Sequence, residues 1–270
     1  MAECTIVAAH NVAVVTGAAL GIGRAMCLHF AKAGMSVAMA DVAGEHFTAA
    51  IEAVTLASPR GADAILAMQR LHDDVMSRFG KVNFLANNAV TRTGRGMDAD
   101  LAEWRQAMDV NLFGPVHGVR AFLPAMLASG ERGVIVNVGS KQGITNPPGH
   151  PIYNITKSAL KTYTEALEHE LRSRPDNRDR RITAHLLVPG WTTTGTNDHK
   201  PGAWLPEQVV DEMLAGITRG DFYIICPDGE VSVDMDRRRV AWAAGDIIEN
   251  RPPLSRWHPD YAEAAKKACS

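Results

Sequence analysis

Little in this chain suggests a crosslinked, membrane-spanning or polyanion-binding protein. Four cysteines, Cys4, Cys27, Cys226 and Cys269, are scattered without a CxxC pair. A chain of 270 residues needs no disulfide staples, so free thiols in a reducing compartment are expected. No cluster of His, Cys, Asp or Glu has ligand spacing, and no metal is expected. Lys and Arg number 28 against 30 Asp and Glu, a formal charge of −2. Such a balance offers no global field for nucleic acid or anionic lipid, and neither is expected as a partner. No apolar run approaches the roughly 18 residues of a membrane span. The N-terminal MAECTIVAAHN carries an acid and no basic stretch before a long apolar core. A secretory leader is therefore not expected, and a cytoplasmic location is. Repeats, low-complexity tracts and Pro/Gly-rich linkers are also missing, which leaves residues 1–270 as one domain.

What is present is an ordinary globular composition, 46% apolar and 21% charged. Short apolar runs alternate with helical patterns. VAVVTG (12–17), SVAMAD (36–41), ADAILAM (62–68), VNFLANNA (82–89), GVIVNVGS (133–140), RITAHLLVPG (181–190) and FYIIC (222–226) read as strands. Helical patterns fall at 22–33, 44–57, 71–80, 101–128 and 153–172. Continuous apolar strands separated by helices predict an α/β fold, a doubly wound parallel sheet of Rossmann type with helices on both faces. The run RSRPDNRDRR (172–181) is interleaved with Asp176 and Asp179 and reads as a solvated helix-to-strand connection. In such sheets ligands bind where the strands' carboxyl ends meet the loops, so residues just after each strand are the candidates.

After the first strand comes Thr16-Gly17-Ala18-Ala19-Leu20-Gly21-Ile22-Gly23, then a helix. Glycines there let the backbone approach a pyrophosphate, while the helix N-terminus offers free N–H groups. Plain turn chemistry uses the same residues. Asp41 ends the second strand, where a carboxylate accepts both adenosine ribose hydroxyls and repels a 2′-phosphate. It is equally placed for an Asx turn. Leu20 and Val42 bring no basic side chain to that position. Arg24 lies just past the loop, so NAD is expected over NADP without excluding the latter.

Tyr153 and Lys157 stand at i and i+4 of a helical stretch and share one face. An ammonium beside a phenol favours the phenolate, which suits a general acid/base for a carbonyl/alcohol pair. Ser140 ends the strand GVIVNVGS, placed to hydrogen-bond a reacting oxygen or simply to make a turn. Asn111 sits inside a helical pattern although Asn is a poor helix former, which marks a distortion or an internal polar contact. Asn87 and Asn88 follow the strand at 82–89 and fit a turn equally well.

Taken together, these residues resemble the short-chain dehydrogenase/reductase family, the branch with TGxxxGxG and YxxxK. The match runs in order from about Val12 to Thr194. TGAALGIG resembles the glycine loop, NNA (87–89) the stretch after the fourth strand, and PGWTTT (189–194) the PGxxxT segment. The resemblance implies a catalytic tetrad of Asn111, Ser140, Tyr153 and Lys157. It places Gly17, Leu20, Gly21, Ile22, Gly23 and Asp41 on the adenosine and pyrophosphate side. Asn87, Ala89, Pro189, Gly190, Thr192 and Thr194, with Tyr153 and Lys157, complete the implied cofactor-binding set, Thr194 holding the nicotinamide carboxamide. Tyr153 would then exchange the proton, Lys157 bind nicotinamide-ribose hydroxyls, Ser140 position the substrate oxygen, and Asn111 support a water chain to Lys157.

Three departures stand out. Val90 replaces the glycine of NNAG, and a β-branched residue takes φ > 0 only with strain, so a different loop path is expected. The usual acid after the third strand is missing, and its adenine contact is not transferred to Asp63. The C-terminal segment 221–270 lacks the usual TG…DGG ending.

Substrate selection is expected from the loops 141–152 and 191–206, with Trp191 and Trp204 as apolar walls or body contacts. A neutral, lipophilic ketone or secondary alcohol is expected, with Lys141, His150, Arg92 and Arg95 keeping a carboxylated or phosphorylated one open. The resemblance implies a homodimer or homotetramer through the helices near 101–128 and 153–172. The leading function is an NAD-dependent alcohol dehydrogenase or carbonyl reductase. The alternatives are a non-catalytic dinucleotide-binding redox regulator, or an NAD-retaining epimerase or dehydratase.

Overall fold

The computed structural model of the protein describes residues 4–58, 71–177, 179–195, 198–229 and 231–270. Six strands, β1 (Val12–Thr16), β2 (Ser36–Ala40), β3 (Phe84–Asn87), β4 (Gly133–Val138), β5 (Ile182–Val188) and β6 (Tyr223–Ile225), form one sheet. Its order is β2-β1-β3-β4-β5-β6, and every pairing is parallel. The strand expected at 62–68 lies outside the described residues.

The period-2 side-chain alternation sorts the strand residues onto two faces. On one face Ala13, Val15, Val37, Met39, Phe84 and Val136 pack against α1 (Gly21–Lys32), α2 (Glu45–Ala57) and α8 (Pro206–Arg219). On the other, Val14, Ala38, Leu85, Ile135 and Ala184 meet α3 (Leu71–Phe79), α5 (Gly114–Ser129) and α7 (Pro151–Ser173). Strands β1 to β5 are buried on both sides, which is why their sequences read as continuous apolar runs.

The pattern at 101–128 is not one regular helix. α4 (Leu101–Met108), opened by an Asp100/Glu103 capping box, runs through a π-helical turn at Asp109–Phe113 into α5. The distortion falls on Asn111, as its poor helix propensity predicts.

The arginine-rich connection is ion-paired, with Arg174 on Asp176 and Arg181 on Asp179. Buried Glu168 of α7 takes Arg172 and Arg180 and accepts the Ala184 N–H at 2.8 Å, while buried Asn177 bonds to the backbone of Leu171 and Ile182. Beyond β6 the chain adds α9 (Val233–Ile248) and α10 (Ala262–Cys269), joined by a pair of short 3₁₀ turns. α6 (Gln142–Thr145) is a single turn between β4 and α7. No described helix is long and apolar enough to cross a membrane.

Candidate active site

The glycine loop is held by residues at the ends of β1 and β3. The Thr16 hydroxyl donates to Ala86 O at 3.3 Å and accepts the N–H groups of Asn88 and Ala89 at 3.0 and 3.1 Å. Asn88 Nδ2 donates to the carbonyls of Thr16 and Gly17 at 3.0 and 3.1 Å. Gly17 has φ +66°, and a Cβ there would stand 2.8 Å from Ala89 Cα. At Gly23 a Cβ would lie 2.1 Å from Gly17 O, so α1 meets the loop too closely for any side chain. Gly21 has φ +55° and packs under Thr194, which brings the 191–195 segment over the start of α1. Leu20 precedes α1 with extended backbone and no side-chain cap, leaving first-turn N–H groups at the loop. Asp41, just past β2, accepts the Ala19 N–H and its neighbour Val42's N–H, each at 2.7 Å. Its carboxylate is thereby fixed against the loop.

The second group lies at the ends of β4 and along α7. Tyr153 and Lys157 are both buried. The Lys157 ammonium donates to Val138 O at 2.7 Å and lies 5.8 Å from the Tyr153 ring centre. Burial, then repulsion from Arg92, draws the Lys157 pKa down to about 7. Asn111 is fully buried in the π turn. It exchanges two hydrogen bonds with the Thr91 backbone, accepting its N–H at 2.8 Å and donating to its carbonyl at 2.9 Å. Nδ2 also reaches Thr156 Oγ1 at 3.1 Å, between Tyr153 and Lys157. The turn is thus locked to the loop after β3 on one side and to α7 on the other. Ser140 Oγ accepts the Gln142 N–H at 3.2 Å and opens α6. α6 lies directly on α7, since a Cβ on Gly143 would come within 2.6 Å of the Lys157 backbone. Ser158 Oγ adds bonds to Gly143 O and Asn146 Oδ1 at 3.0 and 2.9 Å.

The family model described as short chain dehydrogenase matches residues 11–202, a span holding both groups. The chain belongs to the short-chain dehydrogenase/reductase family. It is 31% identical over 222 residues to the 3-oxoacyl-[acyl-carrier-protein] reductase FabG of Staphylococcus aureus, covering 78% of this chain and 84% of that one. It is 32% identical over 196 residues to 1-deoxy-11-beta-hydroxypentalenate dehydrogenase of Streptomyces avermitilis, covering 68% and 69%. A SadH protein of Mycobacterium tuberculosis is 35% identical over 174 residues, so the chain spans 60% of that relative's length. The crystal structure of a short-chain dehydrogenase/reductase from Burkholderia phymatum in complex with NAD superposes with a TM-score of 0.78. It is 28% identical, and the match covers 94% of this chain and 98% of that one.

As a member of this family the chain shows several features that local sequence did not reveal. Val90 takes no left-handed backbone and is half exposed, so its loop passes without the strain that φ > 0 would impose. Arg92, two residues on, stands with its guanidinium 4.9 Å from the Tyr153 ring centre. Asn87 Nδ2 donates to Asn137 Oδ1 at 2.8 Å, and Asn137 to Thr164 Oγ1 at 3.0 Å, a buried polar chain between β3, β4 and α7. Trp204, partly buried, packs on the core, while Trp191 is half exposed. Thr192 bridges Trp204 in a short parallel pairing.

The atypical C-terminal segment reaches the site. Lys141, next to Ser140, lies 2.5 Å from Asp236 of α9 and 3.4 Å from Asp228 after β6. Asp228 also accepts the Trp191 N–H. A Cβ on Gly190 would collide with the Asp228 carboxylate, at 1.7 Å, and with Lys141 Cε, at 2.8 Å. Burial holds the Asp236 carboxyl above its ordinary range, against the pull of Lys141. Three loops at the strands' carboxyl ends therefore share one buried charge cluster. Its signal, two acids far along the chain from a lysine, has no local periodicity. Among the described residues no group of His, Cys, Asp and Glu is arranged to hold a metal ion.

Proposed function

We propose that the protein is an NAD-dependent oxidoreductase interconverting a secondary alcohol and a ketone, with Tyr153 as general acid/base. The supporting observation is the buried Tyr153–Lys157 pair on one turn of α7, at the same sheet end as the glycine loop. The cradle fits a dinucleotide: Gly17 and Gly23 leave no room for side chains, and the start of α1 presents free N–H groups. Gly17, Leu20, Gly21, Ile22 and Gly23 would hold the pyrophosphate, and Asp41 the adenosine ribose. Asn87, Ala89, Pro189, Gly190, Thr192 and Thr194 would complete the cofactor site, Thr194 on the nicotinamide carboxamide. Bound NAD supplies or accepts hydride at the carbonyl carbon.

The chain's own residues handle the rest. Tyr153 Oη gives a proton to the carbonyl oxygen in reduction and takes it back in oxidation. The Lys157 ammonium, held on Val138 O, binds ribose hydroxyls and favours the phenolate. Ser140 Oγ orients the substrate oxygen. Asn111 keeps the backbone of the Thr91 loop and α7 in register, beside the route of a water chain to Lys157. Asp41, with Leu20 and Val42 beside it, favours NAD over NADP. Arg24, whose buried Nε has no hydrogen-bond partner, is the nearest cation on α1 that a 2′-phosphate would find.

A homodimer or homotetramer is part of the same reading. α5 and α7 present a groove of about 410 Å³ lined by Leu123, Pro124, Tyr163 and Ala166, suited to a second copy.

NADH and NADPH oxidation over a ketone panel, repeated with Tyr153→Phe, tests the reading. Turnover with NADH that vanishes in the variant, while NADH binding persists, supports it. Preference for NADPH overturns the cofactor assignment. Tight NADH binding without turnover on any ketone favours the binding-only regulator.

A further inference from the structure

Lys141, His150, Arg92 and Arg95 are among the basic residues in or near the expected substrate loops. The structure separates two of them. Lys141 is ion-paired with Asp228 and Asp236 of the C-terminal segment. Arg92 has no carboxylate partner among the described residues; its one close contact is the Tyr153 ring, 4.9 Å away. It is exposed, so a dissolved anion can reach its charge. The Lys157 ammonium lies 5.8 Å from the centre of the same ring. Two cations thus stand close to one phenol ring, and their repulsion helps lower the Lys157 pKa. Lys157 has a fixed acceptor in Val138 O. The guanidinium has none, although its planar fork matches a carboxylate in two parallel hydrogen bonds. A cation over an aromatic face is also held in place, which lowers the ordering cost of binding an anion.

We propose that Arg92, stationed beside Tyr153, forms a carboxylate subsite, so that the substrate is a short oxo acid or the matching hydroxy acid. The carboxylate would lie one or two carbons from the reacting carbonyl, within reach of both the phenol and the guanidinium. This rests on Tyr153 acting as the acid/base, as proposed above, and replaces the neutral ketone expected from the loop composition. The subsite forms and breaks no bond. It orients the carbonyl towards Tyr153 and offsets the mutual repulsion of Arg92 and Lys157.

Matched acid and ester pairs test it: acetoacetate with ethyl acetoacetate, and 4-phenyl-2-oxobutyrate with its ethyl ester. In the unmodified protein at least one acid should exceed its ester in kcat/KM by about tenfold. Arg92→Gln should lower that acid's kcat/KM by about tenfold, mainly through KM, and change the ester's less than about threefold. Arg92→Lys should restore part of the loss, because it keeps the charge without the fork. Esters reduced as well as acids, or equal losses for both in Arg92→Gln, overturn the subsite. A second readout needs no turnover: calorimetric titration with oxamate, a non-reducible isostere of a 2-oxo acid. Heat of binding that is lost in Arg92→Gln and kept in Tyr153→Phe supports the subsite even if no ketone is reduced, when only the oxidoreductase reading falls. Absence of oxamate binding in the unmodified protein overturns the subsite while leaving that reading to the ketone panel.

Discussion

The Lys141 ammonium lies 2.5 Å from the Asp236 carboxylate, joining the loop that carries Ser140 to a helix of the C-terminal segment. With Asp228 at 3.4 Å from the same ammonium and bonded to the Trp191 N–H, the cluster fastens the segments beginning at Lys141 and Trp191 at once. Its members are mostly buried, so a lone survivor would be an uncompensated charge. Asp236→Asn is expected to lower Tm and kcat together. Lys141→Met combined with Asp236→Leu should lose less stability than the two single changes summed, by about 1–3 kcal/mol. Additive losses in chemical denaturation would remove the cluster as a coupled unit.

Lys157 gives a pH dependence of definite sign. Its pKa falls from 10.5 in the unfolded chain to about 7 in the fold, through burial first and Arg92 second. Between those values the unfolded chain holds the proton more tightly, so folding stability rises with pH across the window. At or below its lower end the buried ammonium costs its full amount. In the cofactor-free protein, Lys157→Met should therefore be most stabilising, relative to the parent, at the acidic end and lose that advantage towards pH 10.5. Denaturation at several pH values measures the slope. Arg92→Gln should move the Lys157 titration upward, and an unchanged midpoint by side-chain NMR would contradict this.

Two glycines are close contacts rather than hinges. A methyl at Gly23 would meet Gly17 O at 2.1 Å, and one at Gly143 would meet the Lys157 backbone at 2.6 Å. Neither obstacle is a movable side-chain end. Gly23→Ala should destabilise by about 2 kcal/mol or more and abolish dinucleotide binding. Gly143→Ala should displace Ser140 from α7 and cut kcat by about tenfold or more, with dinucleotide affinity nearly kept. Calorimetric NADH titration and steady-state kinetics separate the two.

Asp41 fixes the cofactor choice in the proposed reading. Both its oxygens accept backbone N–H groups, so its charge stays at the ribose position. Asp41→Ser should weaken NADH use by about tenfold and raise the NADPH to NADH ratio of kcat/KM. A ratio that does not rise would place the discrimination elsewhere.

Much of this could be read from short stretches of chain. Apolar runs become buried strands and glycine patterns become tight turns because both follow from steric and solvation rules acting within a few residues. The i, i+4 pair of Tyr153 and Lys157 and the misfit of Asn111 in its helix were legible for the same reason. In the fold the misfit is a π turn, whose side chain spans from Thr91 to Thr156. Residues whose meaning depends on partners distant in the chain were not legible. Thr16 looked like the end of a strand, yet its hydroxyl stitches β1 to the loop after β3. Lys141 looked available to a substrate, and packing gave it to Asp228 and Asp236. Arg92 looked like one of several loop cations, and packing left it over the catalytic candidate Tyr153. Charge pairing and burial are properties of three-dimensional neighbourhoods. They are settled only when strands far apart in sequence bring their carboxyl ends together.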